Sequence, residues 1–201
     1  DGTADRILPA VRPALIGERH GTRILTANRL TDGTHGLTLE NVTPPFTMGT
    51  DNDFSRTGTA IRLFGGNRDL TFADLTLDNP IGITSRSADQ RGLVFRDLDL
   101  SGTNGSGLSV SGDNLRVENV FVKGRDTGIT LTGTGIAISS SIVRDNDTGI
   151  VIYGSDNSVH CVDILDNSRY GLRGFTSDTI GATGNFWGFD NGPTHPSNPD
   201  G

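Results

Sequence analysis

The sequence has 201 residues, 28 of them Gly, and its 24 acidic against 17 basic side chains leave a formal net charge of −7. That length suits one domain with a sizeable core. The acidic balance without a basic cluster argues against nucleic acid as a partner, and no apolar run approaches the ~18 residues of a membrane span. The basic residues are all Arg except Lys123, and Glu occurs only at 18, 40 and 118, so the composition is turn-rich and helix-poor. The single Cys161 closes no internal disulfide. The start at Asp1-Gly2-Thr3, without Met or a leader, reads as part of a longer chain.

Residues 1–35 read as irregular opening coils, with strands at Pro13–Gly17 and Thr22–Thr26. From there short alternating segments recur. One series aligns Leu37–Val42 with Leu70–Leu77, Leu93–Leu100, Leu115–Val122, Ala137–Ile142, Val159–Ile164 and Ile180–Asn185. A second interleaves with it at Ala60–Leu63, Ile81–Ile83, Gly107–Val110, Gly128–Leu131, Gly149–Ile152 and Gly171–Leu172. Period-2 alternation in runs this short means strands. A repeat of about 22 residues stacks like strands in parallel, which is a β-solenoid. The expectation is one all-β domain of about eight coils, a rod on the order of 40 Å long. Regular coils would cover 36–188 and a closing tail 189–201. The wide step from Leu37 to Leu70 predicts a loop insertion at 44–58. Ile61, Leu108, Ile129, Ile150 and Leu172 should share one core column.

The repeat, with the ending Gly184-Asn-Phe-Trp-Gly188 and Gly192-Pro-Thr-His-Pro-Ser-Asn-Pro199, resembles the right-handed parallel β-helix superfamily, which includes pectate-lyase-like proteins and many bacterial surface proteins. The resemblance implies a right-handed single-stranded parallel β-helix, a hand the parallel crossover rule also favours. It implies continuation beyond Gly201, and it spans lyases, hydrolases, epimerases, phage spikes, adhesins and binding modules.

Several columns invite a functional reading. Asn41, Asp74, Asp97, Asn119, Ser141 and Asp163 read as a ladder whose side chains bond turn backbone; a row binding calcium or glycan is the alternative. Arg125, Asp147 and Arg169, and Arg144 over Asp166, read as surface ion-pair ladders. Phe121, Val143, Leu165 and Phe186 form either an outward apolar stripe meeting a glycan or partner, or an inward one. Trp187 is a cap on the apolar stack or a sugar platform. The loops contribute Asp51, Asp53, Arg56, Arg86, Asp89 and Arg91, the weak catalytic candidates, because proton abstraction beside a uronate needs a base with a cation on the carboxylate. The four His residues share no metal-ligand spacing, and no cofactor is expected beyond the calcium alternative.

The preferred reading is a non-catalytic extracellular or cell-surface module: a stalk, adhesin, filament subunit or glycan-binding scaffold. The alternatives are a polysaccharide-active enzyme (uronate lyase, glycoside hydrolase or epimerase) and a phage-type spike. The expected partner is a polysaccharide or cell-surface glycan. Ile7, Leu8, Val11, Leu15 and Ile16 suggest that the N-terminal coil pairs with an upstream domain or a second copy stacked head to tail.

Overall fold

In the computed structural model the described residues are 28–44, 46–48 and 50–193, with the backbone alone of 14–16, 23–25 and Thr47. Ile7, Leu8 and Val11 of the expected N-terminal coil and the tail from 194 onward lie outside them, as do the side chains of Leu15 and Ile16.

The chain winds as an all-β parallel solenoid of about seven turns at roughly 22-residue spacing. Each turn carries one long strand and a bent run. The long strands stack into a first face: β1 (Ala14–Ile16), β3 (His35–Glu40), β5 (Thr59–Phe64), β7 (Ile81–Ser85), β10 (Ser106–Asp113), β13 (Thr127–Thr132), β16 (Thr148–Tyr153) and β19 (Tyr170–Phe175). The bent run begins as β6 (Thr71–Thr76) and β9 (Val94–Asp99). Beyond β9 it divides. One row is β11 (Arg116–Glu118), β14 (Ala137–Ser139), β17 (Ser158–His160) and β20 (Gly181–Thr183); the other is β12 (Phe121–Lys123), β15 (Ile142–Arg144) and β18 (Asp163–Leu165). In the opening turns β2 (Arg23–Leu25) pairs with β4 (Phe46–Met48), and β8 (Gln90–Arg91) extends the pairing of β10.

Strand alternation fills the interior. Leu37, Ile61, Ile83, Leu108, Ile129, Ile150 and Leu172 are successive register partners, so the core column expected from the sequence is present. Phe72, Phe95, Val117, Ile138 and Val159 form another, in which the two Phe rings stack with centroids 5.3 Å apart. The pairing of Leu37 with Ile61 corrects the first alignment, which had matched Leu37 to Leu70. The segment 44–58 is therefore coil wall and not an inserted loop: it carries β4, and Phe46, Met48 and Phe54 are buried in the core.

Each turn closes through left-handed bends. The bend inside the run 71–76 recurs at Asp74, Asp97, Asn119, Ser140, Cys161 and Gly184, all at positive φ. Another follows the first face at Asp69, Gly92, Asn114, Gly135 and Asp156. Asp and Asn suit these sites because their short polar side chains tolerate the left-handed region, where most L-residues pay roughly 1–2 kcal/mol. The polar ladder therefore needs correction at three places. Asn41 belongs to the first-face series, where its side chain accepts from Gly66 N at 2.8 Å. Ser141 falls one position past the bend at Ser140 and Asp163 two past the bend at Cys161, because the steps from Asn119 to Ser140 and from Ser140 to Cys161 are each 21 residues and not 22. Within the true column Asn119 donates to Asp97 Oδ1 at 2.7 Å, which holds the Asp97 carboxyl below its usual range.

Besides Asn41 and Ser141, amides outside the ladder expected from sequence bond the buried backbone. Asn146 Oδ1 accepts from Arg125 N at 3.0 Å and Asn167 Oδ1 from Asn146 N at 3.2 Å. Asn157 and Asn185 receive Ile136 N and Val162 N at 2.9 and 3.0 Å. Their spacing of 21 residues between Asn146 and Asn167 was the available signal.

Arg125 is the largest departure from expectation. It is 2% exposed and reaches along the axis through two earlier turns. Its guanidinium donates to the carbonyls of Leu100 (2.7 Å), Leu77 (2.8 Å), Ser101 (2.9 Å) and Asn104 (3.3 Å), and to that of Asn79. Burial pushes its pKa below the ordinary arginine range, while Asp78 and Asp99 pull the other way. Gly102 lies directly against the guanidinium, where a Cβ would collide with it. No ladder with Asp147 and Arg169 exists at this position, and Arg144 pairs with Asp145 at 2.8 Å instead of Asp166.

Three stability changes follow. Arg125→Met should cost about 3 kcal/mol or more by orphaning several buried carbonyls, lowering the melting temperature by roughly 6–12 °C; an unchanged melting temperature would contradict the pinning role. Ser140→Asn should gain about 1 kcal/mol at its left-handed site. Ser141→Asn should lose stability, because the buried Ser141 hydroxyl accepts from Val120 N and donates to Ser139 O. Thermal melts of the pair check the corrected register.

Candidate functional site

The alternation that sends Leu and Ile inward on the first face sends a second set outward. From β5 onward, register places Arg62, Thr84, Ser109, Thr130, Val151 and Arg173 in one outer column. The parallel column holds Phe64, Ser111, Thr132, Tyr153 and Phe175, with Arg86 continuing β7 at the height of Phe64 through Arg86 N to Leu63 O at 3.0 Å. The middle is a lattice of small hydroxyls, and each end is aromatic and cationic.

The two ends repeat one motif, Arg62-Leu63-Phe64 and Arg173-Gly174-Phe175, with the intervening residue turned inward or omitted as Gly. Arg62 lies over the Phe64 ring at 5.3 Å, and Arg173 over Phe175 at 4.3 Å and Tyr170 at 4.8 Å. Tyr153 and Phe175 stack at 4.7 Å and 8°. These rings remain open to solvent: Phe64 is 40% exposed, Tyr153 37%, Tyr170 39% and Phe175 42%. Arg62 Nη1 donates to His35 Nε2 at 3.1 Å, whereas its Nε has no hydrogen-bond partner. From β5 onward these two columns hold three Arg and no carboxylate, while Glu40, the register partner of Phe64, stands one turn earlier in the second column. Rings backed by guanidinium, beside hydroxyl rows at the spacing of the coils, can stack on and hydrogen-bond an extended polar chain.

The loop residues singled out from sequence do not converge. Asp51 and Asp53 line an open groove of about 470 Å³ with Asp78 and Asn79 at the corner leading into the first face. Asp53 accepts from Ser55 N at 2.8 Å, and hydrogen bonds from Ser55 hold its carboxyl below the usual range, with Arg29 and Arg56 adding to the effect. Arg56 is engaged by Asp32 at 2.7 Å. Arg86, Asp89 and Arg91 stand at the other corner of that face, where Asp89 binds the Ser87 hydroxyl at 2.9 Å and Arg91 faces Asp113 at 3.9 Å. Among the described residues, no group of three or more His, Cys, Asp or Glu is placed to hold a metal.

The apolar stripe divides. Phe121 and Phe186 share an outward column, with Ile142 and Asp163 between them. Val143 is register partner of Val122 and Ile164 and fully buried, while Leu165 pairs beside Arg144 and is half-buried. The reason is the one-residue shift at Ser140, which turns Val143 inward, and a second at Cys161, which returns Leu165 to an outer position beside Arg144. Trp187 packs on the last core layer. With Tyr170, Leu172 and Phe189 it borders a cavity of about 390 Å³.

No helix among the described residues is long and apolar enough to cross a membrane. In comparisons with protein-family models, curated proteins and solved structures, no match to this chain is found.

Proposed function

We propose that this chain is a non-catalytic, extracellular carbohydrate-binding module built as a right-handed β-helix, of the general kind found among pectate-lyase-like and surface β-helix proteins. The observation that carries the reading is the outer surface of the first face. Solvent-exposed rings with stacked guanidinium groups stand at both ends of a row of hydroxyls on a rigid parallel sheet. Sugars combine an apolar ring face with a hydroxyl perimeter, and this surface offers a partner for each. A site on strands is held more rigidly than one on loops. The engagement of Asp53, Arg56, Asp89 and Arg91 in local bonds at two separate corners supports a binding role over a catalytic one.

The groove with Asp51, Asp53 and Asp78 favours the second reading, a polysaccharide-active enzyme, since carboxylates in a cleft are what hydrolysis uses. A glycan array probed with the purified chain, followed by titration, separates the two. Binding without release of reducing ends or unsaturated sugars is expected. Tyr153→Ala or Phe175→Ala should each weaken binding roughly fivefold, about 1 kcal/mol for one ring. Turnover abolished by Asp53→Asn would establish the enzymatic reading in its place.

A further inference from the structure

Arg125 is a buried cation whose five acceptors are all neutral backbone carbonyls; Asp78 and Asp99 attract it without bonding to it. A buried charge with no bonded counter-charge is costly. Its longest bond, 3.3 Å from Nη1, goes to the carbonyl of Asn104, and the next residue is Gly105. The pair lies in the loop between β9 and β10, where Asn104 is exposed. Gly105 is held at φ 69° against the Pro80 carbonyl, where a Cβ would collide, so no side chain shields its nitrogen. That N–H donates to Asp126 Oδ2 at 2.9 Å, and an anionic acceptor raises the electron density on the nitrogen.

We propose that Asn104 and Gly105 form a self-modification site, which converts Asn104 to isoaspartate and thereby gives Arg125 a bonded counter-charge. The Gly105 nitrogen attacks Asn104 Cγ. The N–Cγ bond forms, the Cγ–Nδ2 bond breaks, and the side-chain nitrogen leaves as ammonia, carrying the Gly105 proton relayed through the Asp126 carboxylate. Water then opens the resulting succinimide at one of its two carbonyls. Attack at Cγ gives ordinary aspartate, with its carboxylate on the exposed side chain. Attack at the main-chain carbonyl carbon breaks the bond from that carbon to Gly105 N and gives isoaspartate. The chain then runs through Cγ, and the former main-chain carbonyl is a carboxylate. That carbonyl is the one Arg125 already holds. The guanidinium favours this second route, because it stabilises the oxyanion that forms there and ends paired with the product charge. A charge-assisted bond is shorter and stronger than a neutral one, and 3.3 Å leaves room for it to tighten. The exposed loop positions Thr103 and Asn104 absorb the added backbone atom.

Ageing the purified chain in warm, mildly alkaline buffer tests this, in an Asn191→Gln background that removes the other of the two Asn-Gly pairs. Peptide mapping should show the amide-to-acid mass gain at Asn104, and isoaspartyl methyltransferase should label that peptide after digestion. The aged protein should melt a few degrees above the fresh one. Asn104→Asp, which carries its charge on the side chain and keeps a neutral main-chain carbonyl, should melt with the fresh protein. Asp126→Asn should slow the conversion about tenfold or more. In Arg125→Met the isoaspartate share of the products should fall to that of a short synthetic peptide of the same sequence; the comparison of aged and fresh protein holds even where that variant does not fold. No mass gain at Asn104, aspartate as the sole product, or an aged protein that melts at or below the fresh one overturns the proposal. An undiminished rate in Asp126→Asn overturns the route through Asp126.

Discussion

The whole molecule depends on a closure constraint: about 22 residues must turn through a full circuit and return one strand spacing further along the axis. Straight strands cannot do this. The left-handed residues at Asp74, Asp97, Asn119, Ser140, Cys161 and Gly184, and at Asp69, Gly92, Asn114, Gly135 and Asp156, supply the corners. Because each corner sits above its predecessor, inward and outward positions stay in register from turn to turn. The apolar columns and the outer face of the first sheet are two results of that same repetition.

A bend leaves peptide groups pointing into the interior with no strand partner, and those groups must be satisfied without water. Asn146, Asn157, Asn167 and Asn185 do so by accepting an N–H from the turn before. Where the chain makes longer excursions, at 77–80 and 101–105, a single amide is too short, and Arg125 spans two turns to reach five carbonyls. A guanidinium suits this because its donors fan out in a rigid plane and it is less strongly hydrated than an ammonium. The pinned turns lie under β7, β10 and β13, so Arg125 steadies the middle of the outer hydroxyl rows.

Much of this was legible in the alternation itself. The columns through Ile61, Leu108, Ile129 and Ile150 follow from residue type and period, since only inward positions are consistently aliphatic. The opening turns were misaligned because Leu37-Thr38-Leu39 looks alike whether set beside Ile61-Arg62-Leu63 or Leu70-Thr71-Phe72; only strand pairing separates the two. The slip at Ser140 was hidden because neither Ser140 nor Cys161 resembles the Asp and Asn they replace, and one residue sufficed to turn Val143 inward. Arg125 could not be recognised as buried, since the space it fills is made by Gly102 and by loops of other turns. The outer strip was readable as two Arg-x-Phe motifs at equivalent strand positions.

Mapping NMR shift changes while an oligosaccharide that binds on the glycan array is added to the labelled protein addresses the central claim most directly. The account predicts perturbations running along the outer residues from Arg62 and Phe64, through Ser109 and Thr130, to Tyr153, Arg173 and Phe175. Changes confined to the groove at Asp51, Asp53 and Asp78, or to the cavity beside Trp187, would contradict it.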